Sequence, residues 1–293
     1  MDLPIEIFVK ERELLSHSLR RQMIRSPIIH KWNCSTFTDE NMGGEAMIET
    51  ELLKELNPNA SPIGACPLSH ELLMLLSLKQ KLLGQKRFRF NVHLIDASKW
   101  PSQFFQYSFR HIPAIYDPNR LFASDNFTDI LSYLDEQYPT MEMLPKFSKE
   151  EHCQQVVKLC CKLFRRFYGP VVDQRLHSWF TQLDTILLQY DGTFCSNDIN
   201  QLTNIDTEIL PMLHQMRIII RYLYGDDITN RYNGIANYMI RAYNRIEFAQ
   251  WCPSDQEIIF MCQIKPNIVV QRREMIRLIK AEPTFSLSVS TLS

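Results

Sequence analysis

The stretch Ile63-Gly64-Ala65-Cys66-Pro67-Leu68-Ser69-His70-Glu71 delivers a thiol to the start of a helix through a short glycine-containing turn. Proline has no backbone N–H and holds φ near the helical value, so Pro67 suits the first helical position and leaves Cys66 at or beside the N-cap. The unpaired N–H groups and the positive end of the helix dipole at such a point favour a thiolate, the form in which cysteine is a nucleophile. Free cysteine is also among the most buried residue types, so these residues alone fit an inert thiol equally well.

Downstream, residues 68–83 carry leucines on more than one face, Leu72, Leu75 and Leu76 against Leu73 and Leu78, which suits a helix packed between a sheet and a second body of protein. Gly84 is placed to end it. Residues 87–94 alternate polar and apolar over a strand, residues 112–116 form another, and residues 121–123 a short third, with turn chemistry in Asp117-Pro118-Asn119-Arg120 between the last two. Ser124 or Asp125 is placed to cap a helix over 127–138 that stops before Pro139. Upstream, Ile5, Ile7 and Val9 share one face of a half-buried opening strand.

Strand, helix, strand, then strand, turn, strand and helix is the order of a thioredoxin-like α/β domain, expected over residues 1–145. Residues 11–59 interrupt it. They are polar, carry Arg20, Arg21 and Arg25, and read as an insertion with weak helical patterns at 14–24 and 46–56. Beyond residue 146 helices are expected over 151–168, 172–190, 206–223 and 229–243, with shorter pieces to 281, giving an all-α C-terminal domain over 146–283. Thr203 and Asp206 resemble a capping box with Asp in place of Glu. Residues 284–293 are expected to form a disordered tail.

A hydrophobic fraction of 45%, a charged fraction of 22% and a formal net charge of −1 describe a globular protein with no overall attraction for nucleic acid or acidic membrane. Met1-Asp2-Leu3-Pro4 lacks the basic start of a signal peptide, so the expected location is cytoplasmic. The 8 cysteines include no Cys-x-x-Cys pair and are expected to be mostly reduced. His152, Cys153, Cys160 and Cys161 fall on one helix, where a tetrahedral zinc site cannot close without a second element, so they read as packing and no metal is expected.

Three stretches resemble the chloride intracellular channel family of the glutathione-transferase superfamily: Ile5-Glu6-Ile7-Phe8-Val9-Lys10, then Ile63-Gly64-Ala65-Cys66-Pro67-Leu68-Ser69, and Ala242-Tyr243-Asn244-Arg245 through Glu247-Phe248 to Cys252-Pro253-Ser254-Asp255. Leu210-Pro211-Met212-Leu213-His214 follows the same family's pattern. The chain is similar to an invertebrate-type, glutaredoxin-like member with an N-terminal insertion. That resemblance implies a glutathione-transferase-like fold, thioredoxin-like then all-α, with glutathione as ligand or substrate. It implies that Cys66, followed by Pro67, forms a mixed disulfide with glutathione. Pro113 would be cis, Ile112 would offer its backbone to the glutathione cysteine, and Ser124 and Asp125 would hold the γ-glutamyl end.

Ser69 stands where a resolving cysteine would be, so the chemistry is expected to be monothiol. The family's acidic loop is reduced at 191–198, and its basic segment is missing near Tyr222-Leu223-Tyr224-Gly225. The resemblance also implies a conditional membrane form that partners lipid, conducts chloride and forms a homo-oligomer when inserted. Two alternatives are a glutathione-dependent monothiol oxidoreductase and a non-catalytic interaction protein that retains the glutathione site. Hydropathy opposes a ready-made span. A crossing helix needs about 20 mostly apolar residues, whereas His70, Glu71, Lys79 and Lys81 fall within 68–83.

Overall fold

A computed structural model describes residues 3–10, 63–95, 100–140, 150–167, 175–189, 201–263, 277 and 283–289. The insertion expected at 11–59, the boundary expected near 145, the loop at 191–198 and most of 272–277 lie outside the described residues.

Strand β1 (Ile5–Lys10) leads to helix α1 (Pro67–Leu83), strand β2 (Phe90–Ile95), a short helix α2 (Ser102–Gln106), strands β3 (Ala114–Asp117) and β4 (Phe122–Ser124), and helix α3 (Phe127–Gln137). The sheet has the order β2-β1-β3-β4. β1 runs parallel to β2 and antiparallel to β3, and β3 returns antiparallel as β4. This is the thioredoxin-like half that the alternation and turn chemistry predict. Everything described after it is helical or irregular: α4 (Glu150–Phe167), α5 (Arg175–Gln189), α6 (Asn204–Tyr224), a 3-10 turn (Ile228–Asn230), α7 (Asn233–Tyr243), α8 (Ile246–Ala249) and α9 (Asp255–Gln263).

One hydrophobic cluster runs from Ile5, Ile7 and Val9 through the α1 leucines into α4, α5, α6 and α7. Helix α1 is buried on nearly every side because it fills the space between the sheet and α6, as its all-round leucines predict. The opening strand is not half-buried. Phe8, on its other face, joins Ile95, Phe104, Phe109 and Ala114 in a second cluster beneath α2, an element the sequence pattern does not reveal.

Two further expectations are corrected. Helix α3 is capped by Asn126, whose side chain accepts from Thr128 N, rather than by Ser124 or Asp125. Residues 283–289 are not a loose tail but are hydrogen-bonded along α6 and α9. The capping box does form. Thr203 N donates to Asp206 Oδ2 (2.8 Å), and Asp206 N donates back to Thr203 Oγ1.

Candidate functional site

Cys66 is the N-cap residue of α1, in extended conformation, with Pro67 at the first helical position. Its thiol makes no capping hydrogen bond, and the residue is half-buried. The turn that carries it is tied down on three sides. Gly64 N donates to Lys10 O at the end of β1 (2.8 Å), Cys66 N donates to Gly64 O (2.8 Å), and the buried Gln215 of α6 donates through Nε2 to Ala65 O (3.4 Å). Gln215 gives no warning in the sequence, because its function here depends on where α6 packs.

The register of the sheet brings the other expected residues to the same end of it. β1 pairs with β3 as Glu6 with Tyr116 and Phe8 with Ala114. Past that last pair, Ile112 and Pro113 lead into β3 at the end of the sheet where β1 finishes at Lys10, the residue that holds Gly64. The Ile112-Pro113 peptide is cis. Ser124 pairs with Ile115 across β3 and β4, which leaves Asp125 just beyond the sheet.

Asp125 spends its carboxylate on backbone. Oδ2 accepts from Arg110 N (2.6 Å), His111 N (2.8 Å) and the His111 ring at Nδ1 (3.2 Å). Burial pushes this carboxyl up, and these donors outweigh it, so the group is held below the usual carboxylate range. Arg110 and His111 are invisible to motif reading, since they act mainly through backbone N–H groups.

The turn of α1 that follows Cys66 is unusually polar for its burial. Ser69 and His70 are fully buried, and Ser69 Oγ and His70 Nδ1 have no hydrogen-bond partner. His70 stacks on Phe248 and faces its carbonyl through Nε2 (3.3 Å). Burial lowers its pKa to about 4, with the Phe248 carbonyl opposing. Burial, reinforced by the Glu208 charge, raises the Glu71 carboxyl well above its ordinary value. Lys79 is also buried and fully engaged, donating to Asp135 Oδ1 (2.9 Å), Tyr138 O (2.9 Å) and Thr140 Oγ1 (3.4 Å). Among the described residues no cluster of His, Cys, Asp and Glu could hold a metal ion.

No family model matches the chain. The curated protein chloride intracellular channel exl-1 of Caenorhabditis elegans is 25% identical over 242 residues, covering 79% of this chain and 94% of the relative. Over most of its length the chain is thus similar to a chloride intracellular channel. A second such protein, exc-4 of the same nematode, is 35% identical over 78 residues, 27% of each chain. In fold alone, the chain is similar to the crystal structure of the chloride intracellular channel homologue EXC-4 from C. elegans, which covers 99% of this chain and 95% of its own, with TM-score 0.60 and 15% identity. A dehydroascorbate reductase from Chlamydomonas reinhardtii covers 90% of this chain and 100% of its own, with TM-score 0.58 and 14% identity.

Proposed function

We propose that this chloride intracellular channel-like protein takes up glutathione at Cys66 as a monothiol. The observation that carries the reading is a half-buried thiol, free of capping duty, at a helix start tied to the end of the sheet at which Ile112-Pro113 and Asp125 also lie. Ile112 offers its backbone to the cysteine of glutathione, while Ser124 and the Asp125 carboxylate hold the γ-glutamyl end and its ammonium group.

In this reading the Cys66 sulfur attacks one sulfur of glutathione disulfide. The old S–S bond breaks, one glutathione leaves as thiolate, and Cys66 carries the other. A second glutathione thiolate then attacks that mixed disulfide, re-forms glutathione disulfide and frees Cys66. Ser69 offers no sulfur to intervene and is buried besides. Intact mass and peptide mapping after glutathione disulfide treatment test the step: one glutathionyl group on Cys66 is expected, and a group retained in full by Cys66→Ser overturns it.

A second reading, motivated by relatives named as intracellular chloride channels, is a cytoplasmic protein that conditionally joins lipid membranes, oligomerises there and supports chloride conductance. Among the described residues no helix is long and apolar enough to cross a membrane. An inserted form would have to free α1 from α6 and place Glu71 and Lys79 near an interface or a pore, since each ionised group at the bilayer centre costs about 2.5–3.5 kcal/mol. Chloride efflux from liposomes that rises with added protein supports this reading; efflux unchanged at neutral and acid pH and under oxidation removes it.

A further inference from the structure

The residues at 283–289 follow a groove built from α6 and the first turn of α9. Most of what the groove reads is peptide backbone. Thr284 O accepts from Asp255 N (2.8 Å), and Thr284 N donates to Gln256 Oε1 (2.9 Å). Ser286 N donates to Asp255 Oδ1 (3.1 Å). The Arg217 guanidinium donates through Nη1 to Ser286 O (2.8 Å) and through Nη2 to Ser288 O (2.6 Å).

Side chains add selectivity. The Ser286 hydroxyl donates to Asp255 Oδ2 (2.5 Å) and accepts from Arg221. Leu287 and Val289 pack against the main core. Beside the strap a hollow of about 230 Å³, lined by Ile218, Arg221, Tyr222, Gln256 and Ile259, is left unfilled.

Backbone hydrogen bonds are common to all peptides, so a groove that binds mainly through them accepts any segment that follows the same backbone path and whose side chains fit. We infer that the α6–α9 groove is a peptide-binding site in its own right, held in cis by residues 283–289. Its ligand is a partner segment that bends at a hydroxyl residue, as the strap does where Leu287 N donates to Phe285 O (2.9 Å), and carries alternating aliphatic residues after it. The groove asks for a hydroxyl at the Asp255–Arg221 pair, aliphatic side chains where Leu287 and Val289 sit, and has spare room for one bulkier side chain in the hollow. The strap competes at the high effective concentration of a tethered ligand, so a free partner gains access only when the strap is weakened.

The full chain tests this with a fluorescein-labelled, end-blocked peptide Pro-Thr-Phe-Ser-Leu-Ser-Val followed by anisotropy. Ser286→Pro in the protein removes the strap's amide and hydroxyl contacts to Asp255. It should bind the peptide at least tenfold more tightly than wild type does. Adding Arg221→Gln, a partly exposed groove residue, to that variant should weaken binding again by about tenfold. Equal affinity for wild type and Ser286→Pro, absence of binding to the latter, or indifference to Arg221→Gln overturns the proposal. Amide exchange on wild type provides a check independent of any variant. The Thr284 and Ser286 amides should exchange at least tenfold more slowly than in the free peptide, and exchange at the free-peptide rate overturns it.

Discussion

Asp125 shows how one carboxylate can serve structure and chemistry together. Its contacts to Arg110 N and His111 N shape the segment leading into the cis Ile112-Pro113 bond, and its charge is what the proposed site offers an ammonium group. Asp125→Asn keeps an acceptor oxygen for the two amides and removes the charge. The thermal midpoint should therefore move little, while glutathionylation of Cys66 at limiting glutathione disulfide slows by roughly tenfold or more, the value of a charged hydrogen bond. A variant that reacts at the wild-type rate would remove Asp125 from the site. His70 permits a different prediction. Its folded-state pKa of about 4 lies below the ordinary 6.5, so the unfolded chain binds its proton first and stability falls as pH drops through that window. From pH 6.5 to pH 5 this one side chain accounts for about 2 kcal/mol. Glu71, raised instead of lowered, pulls the other way, because the folded state takes its proton first. Urea unfolding at pH 7 and pH 5 should thus show a smaller loss for His70→Asn than for wild type and a larger one for Glu71→Gln.

At the level of elements, the helix pair α5 and α7 depends on Gly234. A Cβ there would sit 2.5 Å from the Asp184 backbone oxygen and 2.9 Å from Leu188 N, and neither backbone atom can swing aside. Gly234→Ala should force the helices apart at a cost of about 1–3 kcal/mol, visible as a lowered urea midpoint. Thr203→Ala removes one half of the capping box of α6 and should cost about 1 kcal/mol in the same assay. That box was legible because its signal is local: a Thr and an Asp three residues apart ahead of an apolar run. The Cys66 helix start, the β3–β4 turn and Gly84 were legible for the same reason. Asn126 was not, because Ser124, Asp125 and Asn126 are all good caps, and Asp125 is drawn off by Arg110 and His111, which lie beside it only in the folded sheet. Phe8 was misread because alternation reports one buried face, and it takes α2 packing from the far side to bury the other. The placement of Gln215 against Ala65 is likewise tertiary and has no sequence signature.

For the molecule as a whole, α1 is the element the two halves share, and its buried Ser69, His70, Glu71 and Lys79 are matched to protein surroundings rather than to hydrocarbon. A buried network extends the connection. Arg217 holds the strap carbonyls and Asp227, and bonds Tyr243; Tyr243 meets His214 (2.9 Å) and stacks on Phe248, and Phe248 stacks on His70. The C-terminal strap and the Cys66 helix are therefore joined through contiguous side chains. Disorder is expected of residues 284–293 because chain ends are seldom tied down, whereas the backbone groups of Thr284, Ser286 and Ser288 are bound by Gln256, Asp255 and Arg217. One contact at the other end of the chain has a similar reach. The hydrogen bond from Gly64 N to Lys10 O means that the chain leaves β1 and returns to the Cys66 turn at a single point. The span 11–62 therefore starts and ends at one point, and the entropic cost of closing it grows only slowly with its length. Shortening it to a quarter of its length is two halvings, together worth about 1 kcal/mol of added stability. Any larger change in the unfolding free energy of such a variant, in either direction, would measure what residues 11–62 contribute beyond closure.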